Sequence, residues 1–258
     1  MVESRRASAP SEPLAARRWL LIPSMLLGPE SWIDVADVLN DLKQQPFLAD
    51  PSPVGCQTED FLSPWLEDVL SVLPDPPDPQ DAMATHAPLL VIAGHSAACP
   101  RLLLVAEEAM ARGHRVSTVI LVNGRVPIDG LSATELDPPL GRLLDKLTRP
   151  DDHVPPWHRW WGSMIEDMLP DESSRQRVFA EARPIPRALF DQKVPAPRLP
   201  DDVGLAFLAM GDMYAPSMDE AREQGWAVAR LDGEHLHQVV NPVAVACTMM
   251  ALVSQAVT

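Results

Sequence analysis

Cysteine is scarce and scattered in this chain. Its three residues, Cys56, Cys99 and Cys247, are odd in number and widely spaced, which supplies neither a disulfide framework nor the paired clusters of a zinc site. That usage suits a reducing compartment, and the cytoplasm is the expected location. No uninterrupted apolar run approaches the roughly 20 residues needed to cross a bilayer. The stretch from Trp19 to Leu27, which follows Arg17 and Arg18, is interrupted by Pro23 and Ser24 and reads as a buried first strand rather than an export signal. Positive charge is also in deficit, 21 Lys and Arg standing against 36 Asp and Glu for a formal charge of −15. Such a field repels a phosphate backbone, so no nucleic-acid partner is expected; no membrane, metal or cofactor is expected either.

Hydrophobic residues at 46% and charged residues at 22% of 258 positions match ordinary globular usage. An α/β chain of this length commonly forms one core with an insertion. Residues 1–18 begin with a stretch rich in Ser, Ala, Pro and Arg and read as a disordered leader. Strands are predicted at Trp19–Ile22, Leu89–Ala93, Val116–Val122, Leu205–Met210 and Ala227–Leu231. Helices are predicted at Ser31–Leu42, Phe61–Leu73, Arg101–Ala111, Met218–Gln224 and Pro242–Ala256. Three of those strands are continuous apolar runs, as in a parallel sheet buried on both faces. The expected architecture is a mostly parallel central sheet with helices on both faces. Its core spans 19–125 and 203–258, and the insertion at 126–202 forms a helical cap with helical pieces near Ala133–Leu147, Trp157–Met168 and Ser173–Ala182.

The most telling stretch is Leu89-Leu-Val-Ile-Ala93 followed by Gly94-His95-Ser96-Ala97-Ala98. A strand turning sharply into a helix needs small residues around the corner, because bulky Cβ groups would collide with the flanking elements. Gly94, Ala97 and Ala98 meet that need, although Ala98 stands where Gly-x-Ser-x-Gly has its last glycine. With the loop from Leu21 to Met25 ahead of Gly28 and Trp32, and with Gly233-Glu234-His235 ahead of Pro242, the order of segments resembles the α/β-hydrolase superfamily.

The resemblance implies roles for particular residues. Ser96 would be the nucleophile and His235 the base, with the backbone N–H groups of Met25 and Ala97 as an oxyanion hole. His237 reads as a polar loop residue and His95 as a residue shaping the pocket floor. The third member is open: Asp212 is chosen, with Asn123 as a neutral orienter or Asp129 as a different acid remaining as alternatives. Relatives often place the acid three residues after a glycine at the end of the penultimate strand, and counting from Gly211 that position holds Tyr214. Without a carboxylate, turnover is expected to be slow or directed to a special acceptor.

Three tryptophans, Trp157, Trp160 and Trp161, crowd the insertion and read either as anchors of the cap or as an aromatic wall for a bulky apolar acyl group. The insertion also gathers Arg149, Arg159, Arg175, Arg177, Arg183, Arg187, Lys193 and Arg198. Interleaved acids make a mixed solvated surface the expectation, and a docking patch for an acidic acyl-carrier protein the alternative. The expected activity is serine-dependent acyl transfer from an ester or thioester through an acyl-Ser96 intermediate, with a composition associated with specialised metabolism. A noncatalytic binding or scaffold protein on the same fold is the rival expectation.

Overall fold

The computed structural model describes residues 16–50, 60–76 and 88–256. Residues 1–15 of the expected leader and Cys56 lie outside the described residues. The chain runs β1 (Arg18–Ile22), α1 (Ile33–Asp41), β2 (Gln45–Leu48), α2 (Leu62–Ser71), β3 (Leu90–His95), α3 (Leu102–Ala111) and β4 (Val116–Val122). The segment that follows carries α4 (Ala133–Leu136), α5 (Pro138–Leu147), β5 (His153–Val154), α6 (Met164–Met168), α7 (Glu172–Ala180) and β6 (Ile185–Pro186). The sheet resumes with β7 (Gly204–Met210), α8 (Ala215–Glu223) and β8 (Ala227–Leu231), then α9 (His237–Val240) and α10 (Pro242–Ala256).

Among the described residues a six-stranded sheet has the order β2-β1-β3-β4-β7-β8, with every pairing parallel. The two-residue period of a strand sends alternate side chains to opposite faces. Trp19, Leu21, Val91, Ala93, Ile120 and Val122 therefore join the core beneath α1 and α10. Leu20, Ile22, Ile92, Val119 and Leu121 join the opposite core, with α2, α3 and much of the segment between β4 and β7. The order reverses at β1 and β3, which lie side by side. Loops leaving neighbouring strands at such a reversal diverge and open a crevice at the carboxyl ends.

Several elements depart from their sequence expectations. The first strand begins at Arg18 rather than after it. Gln45–Leu48 forms an edge strand, hidden in the sequence by Pro46, which an edge position tolerates because the strand has only one paired side. The helix expected over Trp157–Met168 is a 3-10 turn at Trp157–Arg159 followed by α6, with Gly162 at φ 55° between them. Asp137 separates α4 from α5 and caps the latter by accepting from Leu140 N–H. Pro138 at the first position of α5 excludes a continuous helix across that junction.

Gly211 closes β7 at φ 71°, and a Cβ there would lie 2.3 Å from the Gly233 carbonyl oxygen. That contact seats the loop carrying His235 directly on the end of β7. Gly130 has a similar φ of 70°, yet a Cβ there would meet nothing within 4 Å, so it separates backbone strain from collision. Gly211→Ala is expected to destabilise the protein by about 2–4 kcal/mol and Gly130→Ala by about 1 kcal/mol, as read by chemical denaturation. Equal losses would refute a steric role for the Gly211 contact.

Candidate active site

Ser96 follows β3 directly and opens a 3-10 turn spanning Ser96–Arg101. Its φ is 55°, the left-handed region that a residue with a Cβ occupies only when the surroundings hold it there. The holding is steric on two sides. A Cβ on Gly94 would lie 2.5 Å from the Leu102 side chain, and one on Gly124 would lie 2.5 Å from the Ser96 carbonyl oxygen and from Cys99 Sγ. Ala98 is fully buried beneath the corner, where it serves without the glycine of the usual pattern. Cys99 donates its Sγ–H to the Gly94 carbonyl at 3.2 Å, and burial raises its thiol pKa.

His235 arrives from the loop after β8, and its Nε2 lies 2.9 Å from Ser96 Oγ. Its other ring nitrogen, Nδ1, lies 2.9 Å from Asn123 Nδ2. Asn123, at the end of β4, is fully buried with φ 49°, a conformation asparagine adopts more readily than most residues. Its backbone N–H donates to the Leu208 carbonyl at 2.8 Å. Its side-chain Oδ1 accepts from Met210 N–H at 2.9 Å.

That last bond decides the protonation pattern. A backbone N–H only donates, so the oxygen of the amide faces Met210 and the NH2 faces His235. Nδ1 must then accept, and the neutral ring carries its proton on Nε2, donating to Ser96 Oγ. Burial holds the ring neutral by pushing its pKa down to about 4.

Asp212, chosen as the acid, is not at the site. Its carboxylate is largely exposed and pairs with Arg230 at 2.7 Å, because the chain turns outward after Gly211 and hydration stabilises the charge there. Asp129 accepts from Ala196 N–H at 3.0 Å and is likewise remote from His235. The neutral orienter Asn123, weighed as an alternative, is the residue brought to the ring. His95 is not a cavity residue either: it is fully buried, and its Nε2–H donates to the His235 carbonyl at 2.9 Å. Burial and the neighbouring His235 hold it neutral, with a pKa well below the usual imidazole range. It therefore positions the histidine loop instead of touching a ligand.

A cavity of about 310 Å³ opens over Ser96 and His235, lined also by Met25, Ala97 and the three tryptophans. Trp157 is the closest of these to the histidine, with ring centroids 5.7 Å apart. Trp161 packs edge-on against Trp157 at 6.1 Å, and Trp160 is fixed by donating Nε1–H to the Pro155 carbonyl at 2.7 Å. Ala97 lies in the first turn after the corner, where N–H groups lack intrahelical partners. Across the crevice, the turn after β1 is closed by Leu27 N–H to the Ser24 carbonyl at 2.9 Å, which leaves Met25 facing the cavity.

Two cavity residues escaped sequence reasoning. Tyr214 stacks on His235 with centroids 5.7 Å apart and lines the same cavity as Ser96. Burial raises the tyrosine hydroxyl to about 12, keeping it protonated. Counting from Gly211 lands on this residue, but a search for a carboxylate passes over it. Arg101, at the end of the turn that Ser96 opens, is 2% exposed and also lines the cavity. Among the described residues no three His, Cys, Asp or Glu side chains cluster to hold a metal, and no helix is long and apolar enough to cross a membrane.

The two buried rings make stability depend on pH. Both have folded-state pKa values below the unfolded value, so between pH 6.5 and about 4 the unfolded chain binds more protons than the folded one. Stability is therefore expected to fall as pH drops through that window, by about 1 kcal/mol per pH unit for His235, with His95 acting in the same direction. In Asn123→Leu/His235→Phe the slope measured by urea denaturation should be shallower, and an unchanged slope would contradict a neutral buried His235.

No family model matches this chain, and no curated protein matches it. Solved structures do. An extracellular α/β-hydrolase from a Paenibacillus species, described as sharing structural and functional homology with tobacco salicylic acid binding protein 2, aligns at TM-score 0.63 and 14% identity over 92% of this chain and 98% of that one. Tomato methylketone synthase I complexed with 2-tridecanone aligns at TM-score 0.66 and 14% identity, covering 93% and 99%. Polyneuridine aldehyde esterase aligns at TM-score 0.62 and 16% identity, covering 92% and 99%. With the parallel sheet, the left-handed serine corner and the histidine delivered after the last strand, these likenesses show that the chain has the α/β-hydrolase fold.

Proposed function

We propose that the protein is a slow serine-dependent ester hydrolase or acyltransferase acting through an acyl-Ser96 intermediate. The observation that carries this reading is the 2.9 Å contact between Ser96 Oγ and His235 Nε2 at the floor of an apolar cavity. In the reaction Ser96 Oγ attacks an ester or thioester carbonyl, and the N–H groups of Met25 and Ala97 receive the developing oxyanion. His235 Nε2 takes the serine proton and returns it to the leaving group. Water or a second nucleophile then releases the acyl group. Trp157, Trp160 and Trp161 suit a bulky apolar or aromatic acyl portion.

Slowness follows from Asn123. Proton acceptance at Nε2 requires the imidazole proton to sit on Nδ1, facing an amide NH2 that also donates. Turning the amide to accept would strand its NH2 against Met210 N–H. Losing a buried hydrogen bond costs about 1–3 kcal/mol, or roughly 5- to 150-fold in rate. An aspartate would accept from both partners at once and would also stabilise the imidazolium.

The acyl donor is proposed to be a small-molecule ester or thioester. Arg177, Arg187, Lys193 and Arg198 are each paired with carboxylates, which favours the mixed solvated surface over a docking patch for an acyl-carrier protein. The same Asn123 geometry favours a second reading, a binding protein that uses the cavity without chemistry.

A fluorophosphonate probe separates the two. Labelling at one serine in the wild type, lost in Ser96→Ala and reduced at least about tenfold in His235→Ala, is expected for the enzyme. Asn123→Asp should raise turnover of a 4-nitrophenyl arylalkanoate by about tenfold or more. A wild type and an Asn123→Asp variant that are both inert to probe and ester would leave only the binding reading.

A further inference from the structure

The cavity contains a buried cation that the proposed chemistry does not use. Arg101 is 2% exposed, and Nη1–H donates to the Ala97 carbonyl at 3.1 Å. Its guanidinium carbon stands 5.9 Å from the centroid of the Trp65 ring. A guanidinium has five N–H donors, and one carbonyl with one aromatic face does not balance a full charge in an apolar setting. No carboxylate among the described residues pairs with it. The other cavity arginine behaves differently: Arg125 Nη2 is 2.7 Å from Asp137 Oδ2 and stands over the Tyr214 ring at 5.7 Å.

We infer that Arg101 is a subsite for a carboxylate on the substrate, so that the cavity takes an amphipathic acid whose apolar body lies under the tryptophans. One guanidinium balances one negative charge, and its planar fork matches a carboxylate in two parallel bonds. Most of the remaining wall, including Leu136, Leu140, Leu189 and Phe190, is apolar, and its other two charges, Arg125 and Asp137, neutralise each other, which suits a hydrocarbon or aryl group beside one anionic group. Because Arg101 bonds the carbonyl of the residue next to Ser96, the anion and the reacting carbonyl belong to one small molecule. Monoesters of short dicarboxylic acids have that shape. Burial lowers the guanidinium pKa to about 10, which still leaves it charged at neutral pH.

This inference rests on the cavity proposed above as the acyl site, but its test requires no turnover. Calorimetry would compare 4-phenylbutyrate with 4-phenylbutyramide, equal in shape and different in charge, on the full chain of wild type, Ser96→Ala, Arg101→Lys and Arg101→Gln. The carboxylate is expected to bind at least about tenfold more tightly than the amide in wild type and in Ser96→Ala. That preference should shrink in Arg101→Lys and vanish in Arg101→Gln. Equal binding of the two ligands to wild type would overturn the subsite even if Arg101→Gln fails to fold. Persistence of the preference in a folded Arg101→Gln would overturn it as well. If Ser96 proves inert to the fluorophosphonate while the preference stands, the catalytic reading fails and the subsite survives.

Discussion

The hydrogen bond from Met210 N–H to Asn123 Oδ1 governs what the rest of the site can do. It ties a strand end to a side chain and thereby fixes which half of the amide meets His235. Through the ring it also fixes which nitrogen meets Ser96. The chain of consequence passes from a backbone donor that cannot reverse, through an amide with one oxygen and one nitrogen, to an imidazole with one proton. Each step is forced by counting donors and acceptors, and none depends on the strength assigned to any one bond.

That chain exists because the parallel sheet brings distant segments to one edge. In register, His95 pairs with Val122 and Val122 with Leu208, so the residues that follow these strands emerge side by side. Met210 pairs with Leu231, and the loop beyond β8 returns over Gly211, where only a missing Cβ permits the approach. His95 completes the frame by holding the carbonyl of the histidine whose ring meets Ser96. Ser96, His235, Asn123 and Met210 are thus linked to one another before any ligand enters, which favours one geometry for the buried network.

Much of this arrangement was legible in the sequence. Continuous apolar runs disclosed the parallel strands, small residues around Ser96 disclosed the corner, and a glycine-led loop before the last helix disclosed His235. The edge strand β2 was not legible because Pro46 is a breaker except where one side of the strand is unpaired. Asp212 was misplaced for a different reason. A carboxylate one or two positions from the expected place looks sufficient along a chain, but a strand end that turns at positive φ reverses the direction of the next side chain. Asn123 could be named as a candidate but not chosen, since its selection depends on a bond to Met210, 87 positions away. Arg101 was read only as the start of a helix, and nothing local distinguishes it from a solvated arginine.

The buried arginine also bears on how a ligand of the proposed kind would reach the cavity. The protein carries a formal charge of −15, and an approaching carboxylate meets that field as repulsion. At physiological ionic strength, however, charges farther apart than about 8 Å are largely screened, so the net charge acts mainly on the encounter rate and little on the bound state. Inside an apolar cavity screening is weak, and the nearest charge dominates. Affinity would then come from local compensation of Arg101 and from burial of the apolar body beneath the tryptophans. Raising the salt concentration would therefore alter the preference for a carboxylate over an amide far less than replacing Arg101 would, because the first effect belongs to the surface and the second to the interior.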